Sequence, residues 1–296
     1  MWERYEYSQL RMGVQTRIVV YARSETHAQR ACQHAYHRIS ALEAIMSDYR
    51  PDSELMRLCQ NAVGRWVKVS PELFYVLWHA QNLARQTKGA FDITVGPLTA
   101  LWRQTRETQR LPDPEALQRA CLRTGWKKVR LSRSRRAVQL ASPEMRLDLG
   151  GIAKGYACDC ALKVLRQHGI RSALVQMGGD LAVSEPPPQQ KGWHIVIPAL
   201  TTAEQPVSLE LSRCALSTSG STEQFVVIDG TRYAHIVDPR IGFGLRHLVQ
   251  VSVKAPMGIL SDSLATALCV LGPEGIAPLQ QLYKGIEVWY KSAETQ

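Results

Sequence analysis

The chain has 296 residues, is 45% hydrophobic and 21% charged, and carries a formal net charge of +10. That apolar share can fill a large core and excludes an intrinsically disordered chain. No apolar run reaches the roughly 18 residues of a membrane-spanning helix, so no span is expected.

In chain order, residues 16–22 are rich in β-branched side chains and read as a strand. Residues 25–46 set Ala28, Ala31, Cys32, Ala35, Ile39, Leu42, Ile45 and Met46 on one face at helical spacing. His27, His34 and His37 fall on the same helix, where scattered exposed histidines are the ordinary reading. The next helix begins at the capping residue Ser70, has Pro71 in its first turn and stops at Gly89. Residues 101–146 hold twelve Lys/Arg and four Asp/Glu. Such a basic face is either simply solvated or meets an acidic partner. No DNA-reading motif or aromatic single-strand platform accompanies it, so nucleic acid is not expected. A helix runs through this segment from Asp113-Pro114 to Gly125, and short strands follow at 128–131, 137–140 and 146–149.

The last of these strands leads into a glycine turn, a helix over 156–168 stopped by Gly169, and a strand over 172–176. This reads as a βαβ-like unit. Pro186, Pro187 and Pro188 mark an exposed loop. Strands are then expected at 193–197, 207–211, 225–228, 233–237 and 248–254, helices at 261–271 and 273–282, and a last strand at 286–290. Strands and helices mixed in blocks indicate an α+β fold, read as one domain over 1–296. The seven cysteines follow no disulfide framework and read as reduced thiols. Cys158 and Cys160, two apart on a helix, point in different directions and cannot clamp one metal alone. No apolar stretch with a cleavage site follows the N-terminus, so a soluble, cytoplasmic protein is expected as written. A missing export segment would place it on the periplasmic face instead.

Four segments carry residue types suited to chemistry. In Asp148-Leu-Gly-Gly-Ile-Ala-Lys-Gly155, glycines allow close backbone approach, the following helix offers unpaired N–H groups to phosphate, and Lys154 adds a charge. It matches neither a Walker A loop nor a dinucleotide fingerprint, and a plain strand-to-helix turn is the alternative. In Ser261-Asp-Ser-Leu-Ala-Thr266, Asp262 and Thr266 stand four apart on one helical face and could serve a Mg²⁺ shell; otherwise Ser261 or Asp262 caps the helix. In Gly89-Ala-Phe-Asp-Ile-Thr-Val-Gly-Pro-Leu98, Asp92 sits in a short extended stretch where it could accept hydrogen bonds from a flavin or an adenine. In Ala234-His-Ile-Val-Asp-Pro-Arg240, His235 is a candidate general base. Met177-Gly-Gly-Asp180 and Ser217-Thr-Ser-Gly-Ser221 read as turns able to line a polar cleft.

In this order, together with Met12-Gly13 and Ser47-Asp-Tyr-Arg-Pro-Asp-Ser-Glu-Leu55, these segments resemble the FAD:protein FMN transferase family over nearly the whole chain. The resemblance implies an α+β fold of two mixed subdomains with a flavin cleft between them. It implies FAD contacts from Met12, Tyr49, Ala90, Phe91, Asp92, Asp148, Lys154 and Ile236. It further implies Mg²⁺ held by the Gly151 carbonyl, Asp262 and Thr266, with His235 helping to activate an acceptor hydroxyl. The implied reaction moves FMN from FAD onto a Ser or Thr of an acceptor protein and releases AMP. Hydrolysis of FAD to FMN and AMP, or flavin binding without catalysis, are the alternatives. Many members are exported and lipid-anchored, which no segment here suggests. The sequence departs from the family at Ile241, where Thr is usual, at Gln176, where Asn is usual, and in a shortened proline-rich run after Asp180.

Overall fold

The computed structural model describes residues 1–202 and 204–293. Its elements are β1 (Glu3–Arg11), β2 (Val14–Ala22), α1 (Glu25–Met46), α2 (Glu54–Asn61), β3 (Val67–Lys68), α3 (Pro71–Gln86), α4 (Gly96–Thr108) and α5 (Pro114–Arg123). Then come β4 (Val129–Ser132), β5 (Ala137–Leu140), α6 (Ala153–Gln167), β6 (Ala173–Met177), β7 (Asp180–Val183), β8 (Trp193–Ile197), β9 (Val207–Leu211) and β10 (Cys214–Gly220). The chain continues with β11 (Phe225–Ile228), β12 (Thr231–Ala234), β13 (Leu248–Ala255), α7 (Gly258–Leu271), α8 (Ile276–Leu282) and β14 (Glu287–Ala293).

A seven-stranded sheet in the order β1-β2-β6-β7-β10-β13-β14 organises the molecule, and every ladder in it is antiparallel. The run Ile18-Val19-Val20 shows why β2 is continuously apolar: it is buried on both faces. Ile18 and Val20 join the main core with Ala31, Ala35 and Ile39 of α1 and Ala157 and Ala161 of α6. Val19 faces the other way and packs with Leu174, Leu181, Trp193, Leu211 and Leu216 under the β8–β9 hairpin. A smaller apolar cluster of Leu98, Trp102, Ala120, Val226, Tyr233 and Val237 holds α4, α5 and the β11–β12 hairpin together. The fold is therefore α+β, with a large sheet-and-helix body and a small lobe.

Local sequence signals explain most helix ends. The Ser24, Ser70 and Asp113 side chains accept hydrogen bonds from the N–H groups of His27, Leu73 and Ala116. Elsewhere the structure corrects the reading. Residues 146–149 form no strand. The Asp148 N–H donates instead to the Ile93 carbonyl at 2.8 Å, and β6 pairs antiparallel with β2 and β7, so there is no βαβ unit. The stretch after Asp92 is helical: its carboxylate caps a 3₁₀ turn, Ile93–Val95, that runs into α4. Residues Ser217 to Gly220 lie within β10, paired to β13, and do not form a turn. Helix α7 begins at Gly258, so neither Ser261 nor Asp262 caps it. Asp159 of α6 does so, accepting from the Gly258 and Ile259 N–H groups at 2.7 and 3.0 Å. Strand β12 ends at Ala234, so His235 to Val237 leave the strand.

Candidate active site

The site is assembled where α6 and α7 cross. A Cβ on Gly155 would lie 2.0 Å from the Gly258 carbonyl oxygen, and one on Gly258 would lie 2.3 Å from that of Gly155. Only a pair of glycines lets the two backbones touch. The crossing brings the first turn of α6 against the second turn of α7. The Gly155 N–H donates to Asp262 Oδ2 at 2.9 Å, and Lys154 Nζ stands 4.0 Å from the same oxygen. Lys154 Nζ also lies 2.9 Å from Asp180 Oδ2, at the start of β7. One helical turn beyond Asp262, Thr266 Oγ1 is 3.2 Å from Ser219 Oγ on β10. Gly151 closes this pocket, since a Cβ there would come 2.9 Å from Thr266 Oγ1. A 2.8 Å hydroxyl pair, Ser217 with Ser261, fastens α7 to β10.

The electrostatics of this corner are unbalanced. Asp180 and Asp262 are almost fully buried, with exposures of 3% and 1%, and among the described residues Lys154 is the one cation paired with them. Burial pushes the Asp262 carboxyl up to about 7, Asp180 pushes in the same direction, and Lys154 and the Gly155 N–H pull back. For Lys154, burial opposes the charge, but the two carboxylates outweigh it and raise its pKa above the ordinary lysine value. Two carboxylates facing one ammonium leave room for a second positive charge. The available donors are carboxylate and hydroxyl oxygens, the set that suits a hard divalent cation. No group of three or more His, Cys, Asp or Glu side chains poised around a metal occurs among the described residues. A cation here would therefore also need hydroxyl, carbonyl, water or phosphate oxygens.

A second cluster adjoins the glycine turn. Asp148 Oδ1 accepts from the Gly150 N–H at 2.8 Å. Its Oδ2 accepts from Thr99 Oγ1 at 2.8 Å and Arg103 at 3.2 Å. Arg103 also pairs with Asp48 at 2.7 Å and lies 4.2 Å above the ring centre of Tyr49, whose side chain is 73% exposed. Asp148 thus orients the turn that presents Lys154, whose ammonium donates to the Gly150 carbonyl at 3.0 Å. Ala90, Phe91 and Asp92 are buried. Asp92 Oδ1 is taken up by the Thr94 N–H and hydroxyl, and burial raises its pKa against those bonds.

His235 follows β12 and its Nδ1 lies 3.2 Å from the Gln224 carbonyl. A carbonyl only accepts, so Nδ1 carries the proton and Nε2 keeps a free lone pair. Burial lowers the basicity of His235 and the nearby charges of Arg106 and Lys154 lower it further, while the Gln224 contact opposes them. The ring is therefore neutral near pH 7 and can take up a proton. Ile236 is buried. Met12 sits in the β1–β2 turn at φ 49°, at the same sheet end as the β6–β7 turn, where the Gly178 N–H donates to the Gln15 carbonyl.

The structure thus brings Asp148, Gly151, Lys154, Asp262 and Thr266 together. Tyr49 joins through Arg103 and the 90–92 stretch through Ile93, whereas His235 makes its hydrogen bonds to Gln224. Met12 and Ile236 make no hydrogen bond to this centre among the described residues. Sequence reasoning missed the roles of Thr99, Arg103, Asp48 and Asp159, and gave Asp180 and Ser219 only as cleft lining. A buried Asp directly after a glycine pair was the available signal for Asp180.

The ApbE family model matches residues 12–290 of the chain. A FAD:protein FMN transferase of Treponema pallidum is 32% identical over 97% of this chain and 84% of its own length. One from Klebsiella pneumoniae is 32% identical over 89% of this chain and 77% of its own. Among solved structures, the flavin transferase ApbE of Vibrio cholerae superposes with a TM-score of 0.87 at 27% identity, covering 100% of this chain and 98% of that one. The ApbE protein of Thermotoga maritima gives 0.88 at 28% identity, covering 99% and 97%. With the family model matched over residues 12–290 and relatives 32% identical along most of both chains, this protein belongs to the ApbE family.

Proposed function

We propose that this chain is an FAD:protein FMN transferase that moves FMN from FAD onto a Ser or Thr hydroxyl of an acceptor protein, using Mg²⁺. The observation that carries the metal part is the buried pair Asp180 and Asp262 facing a single lysine, with the Thr266 hydroxyl one turn away. Asp262, Thr266 and the Gly151 carbonyl would hold the ion. When bound, Mg²⁺ offsets the charge of the two phosphates that otherwise repels an incoming oxygen.

The chain's own groups do the remaining work. Lys154, held between Gly150 and Asp180, adds a fixed positive charge at the diphosphate. Asp148 and Arg103 hold the glycine turn in place, and Tyr49, Met12, Ile236 and residues Ala90 to Asp92 bind the dinucleotide. His235, neutral and donating through Nδ1, takes the proton of the acceptor hydroxyl at Nε2. The hydroxyl oxygen bonds to the phosphorus of the FMN half, the bond from that phosphorus to the bridging oxygen breaks, and AMP leaves with that oxygen.

The test is transfer by Asp262→Asn and Thr266→Val in a Mg²⁺ titration. Asp262→Asn should lose metal-dependent transfer while still folding, and Thr266→Val should need about tenfold more Mg²⁺. Wild-type Mg²⁺ dependence in both variants would sink the assignment.

A further inference from the structure

Tyr49 lies in the turn between α1 and α2, and serines fix that turn at both ends. Ser47 Oγ accepts from the Tyr49 and Arg50 N–H groups, both at 3.2 Å, and Ser53 Oγ donates to the Ser47 carbonyl at 2.6 Å. The backbone is held, while the Tyr49 side chain stands 73% exposed. A ring in that position turns freely unless a neighbour takes one of its faces. Arg103 does so, with its guanidinium carbon 4.2 Å from the ring centre. That guanidinium is itself immobilised. Its Nη1 lies 2.7 Å from Asp48 Oδ2 and its Nη2 3.2 Å from Asp148 Oδ2. Carboxylates on two separate nitrogens fix the plane of the fork, which a lysine ammonium does not have. Asp148 is in turn held by Thr99 and the Gly150 N–H. Tyr49 therefore has one face on a fixed platform and the other uncovered, and the platform is tied to the residue that orients the glycine turn.

We propose that Arg103 is a positioning residue for FAD: it fixes the plane of the Tyr49 ring so that the uncovered face stacks on one of the two flat ring systems of the dinucleotide. This rests on the part of the proposed function that makes FAD the ligand. Arg103 acts through Tyr49 and not on a reacting atom. Fixing the ring before the ligand arrives removes an ordering cost from binding, and the Asp148 link keeps the ring in register with Lys154 at the diphosphate.

Equilibrium binding of FAD to the full chain without acceptor tests this, read from flavin fluorescence. Arg103→Lys keeps a cation between the two carboxylates, so the fold survives, but it loses the planar face; FAD binding should weaken by about three- to tenfold. Tyr49→Leu should weaken it at least as much. Adding Arg103→Lys to Tyr49→Leu should then change affinity by less than about twofold, because the ring through which Arg103 acts is gone. Riboflavin and AMP, titrated separately, identify the stacked ring as the one whose affinity falls in Tyr49→Leu. Wild-type FAD affinity in Arg103→Lys, the same loss from Arg103→Lys with and without Tyr49, or no loss for either riboflavin or AMP would overturn the inference. An unaltered chain that binds no FAD would instead remove the proposed function itself, and the role of Arg103 with it.

Discussion

Replacing Gly155 by Ala adds one methyl group at the point where α6 and α7 touch. The new carbon would lie 2.0 Å from the Gly258 oxygen, 2.5 Å from its carbonyl carbon and 2.7 Å from Asp262 Cβ. Two of the three are backbone atoms, so no side chain can swing aside. The helices must part by at least about 1 Å to restore tolerable contact. Overpacking of this kind costs about 1–3 kcal/mol, and backbone obstruction puts Gly155→Ala at the upper end, near 3 kcal/mol. For a chain of 296 residues the loss corresponds to a fall in Tm of roughly 5 °C. The same movement pulls Asp262 from the Gly155 N–H, now at 2.9 Å, and widens its 4.0 Å approach to Lys154. A 1 Å misplacement of catalytic groups costs on the order of 100-fold in rate. Calorimetry and a covalent-flavin assay on the same preparation give both quantities. A variant with wild-type Tm and a transfer rate within about threefold would refute the claim that this glycine contact aligns the site.

Other changes probe neighbouring parts of the structure. Arg103→Met leaves Asp48 and Asp148 facing each other in a site where burial and Asp148 already push the Asp48 carboxyl upward; urea unfolding should show a loss of about 2–4 kcal/mol at neutral pH, shrinking as the carboxyls protonate in acid. Asp159, which caps α7 from α6, has its carboxyl raised by burial from 3.8 to about 6, limited by the Gly258 and Ile259 N–H groups. The folded state therefore holds that proton more tightly than the unfolded chain, so its contribution to stability is full below about pH 4 and is lost as pH rises through about 6. Urea unfolding of wild type and Asp159→Asn across this window should show wild type losing ground relative to the variant; a wild-type gain would reverse the sign.

How far the sequence carries depends on how local each signal is. The α1 stripe was legible because Ala28, Ala31, Cys32, Ala35, Ile39 and Leu42 repeat at helical spacing and are all buried. The pair Asp262 and Thr266 was legible for the same reason. Helix α4 was hidden because Gly96-Pro97 reads as a breaker, whereas proline in a first turn lacks only an N–H that has no partner there. Strand β1 was hidden because it is a sheet edge bearing Glu3, Arg4, Glu6 and Arg11 and shows little apolar run. The absence of a parallel unit could not be read locally, since β2, one of the two partners of β6, lies about 155 residues away in sequence. The same holds for the charges that complete the site: Asp180 reaches Lys154 and Arg103 reaches Asp48 and Asp148 only through the fold.

The most direct measurement incubates the full chain with FAD and a Thr-containing acceptor, with Mg²⁺ or with EDTA, and follows in-gel flavin fluorescence, intact mass and AMP. The account predicts acceptor carrying FMN through a phosphoester and AMP released in equal amount, only when Mg²⁺ is present. Free FMN and AMP beside an unmodified acceptor, or equal labelling in EDTA, would contradict it.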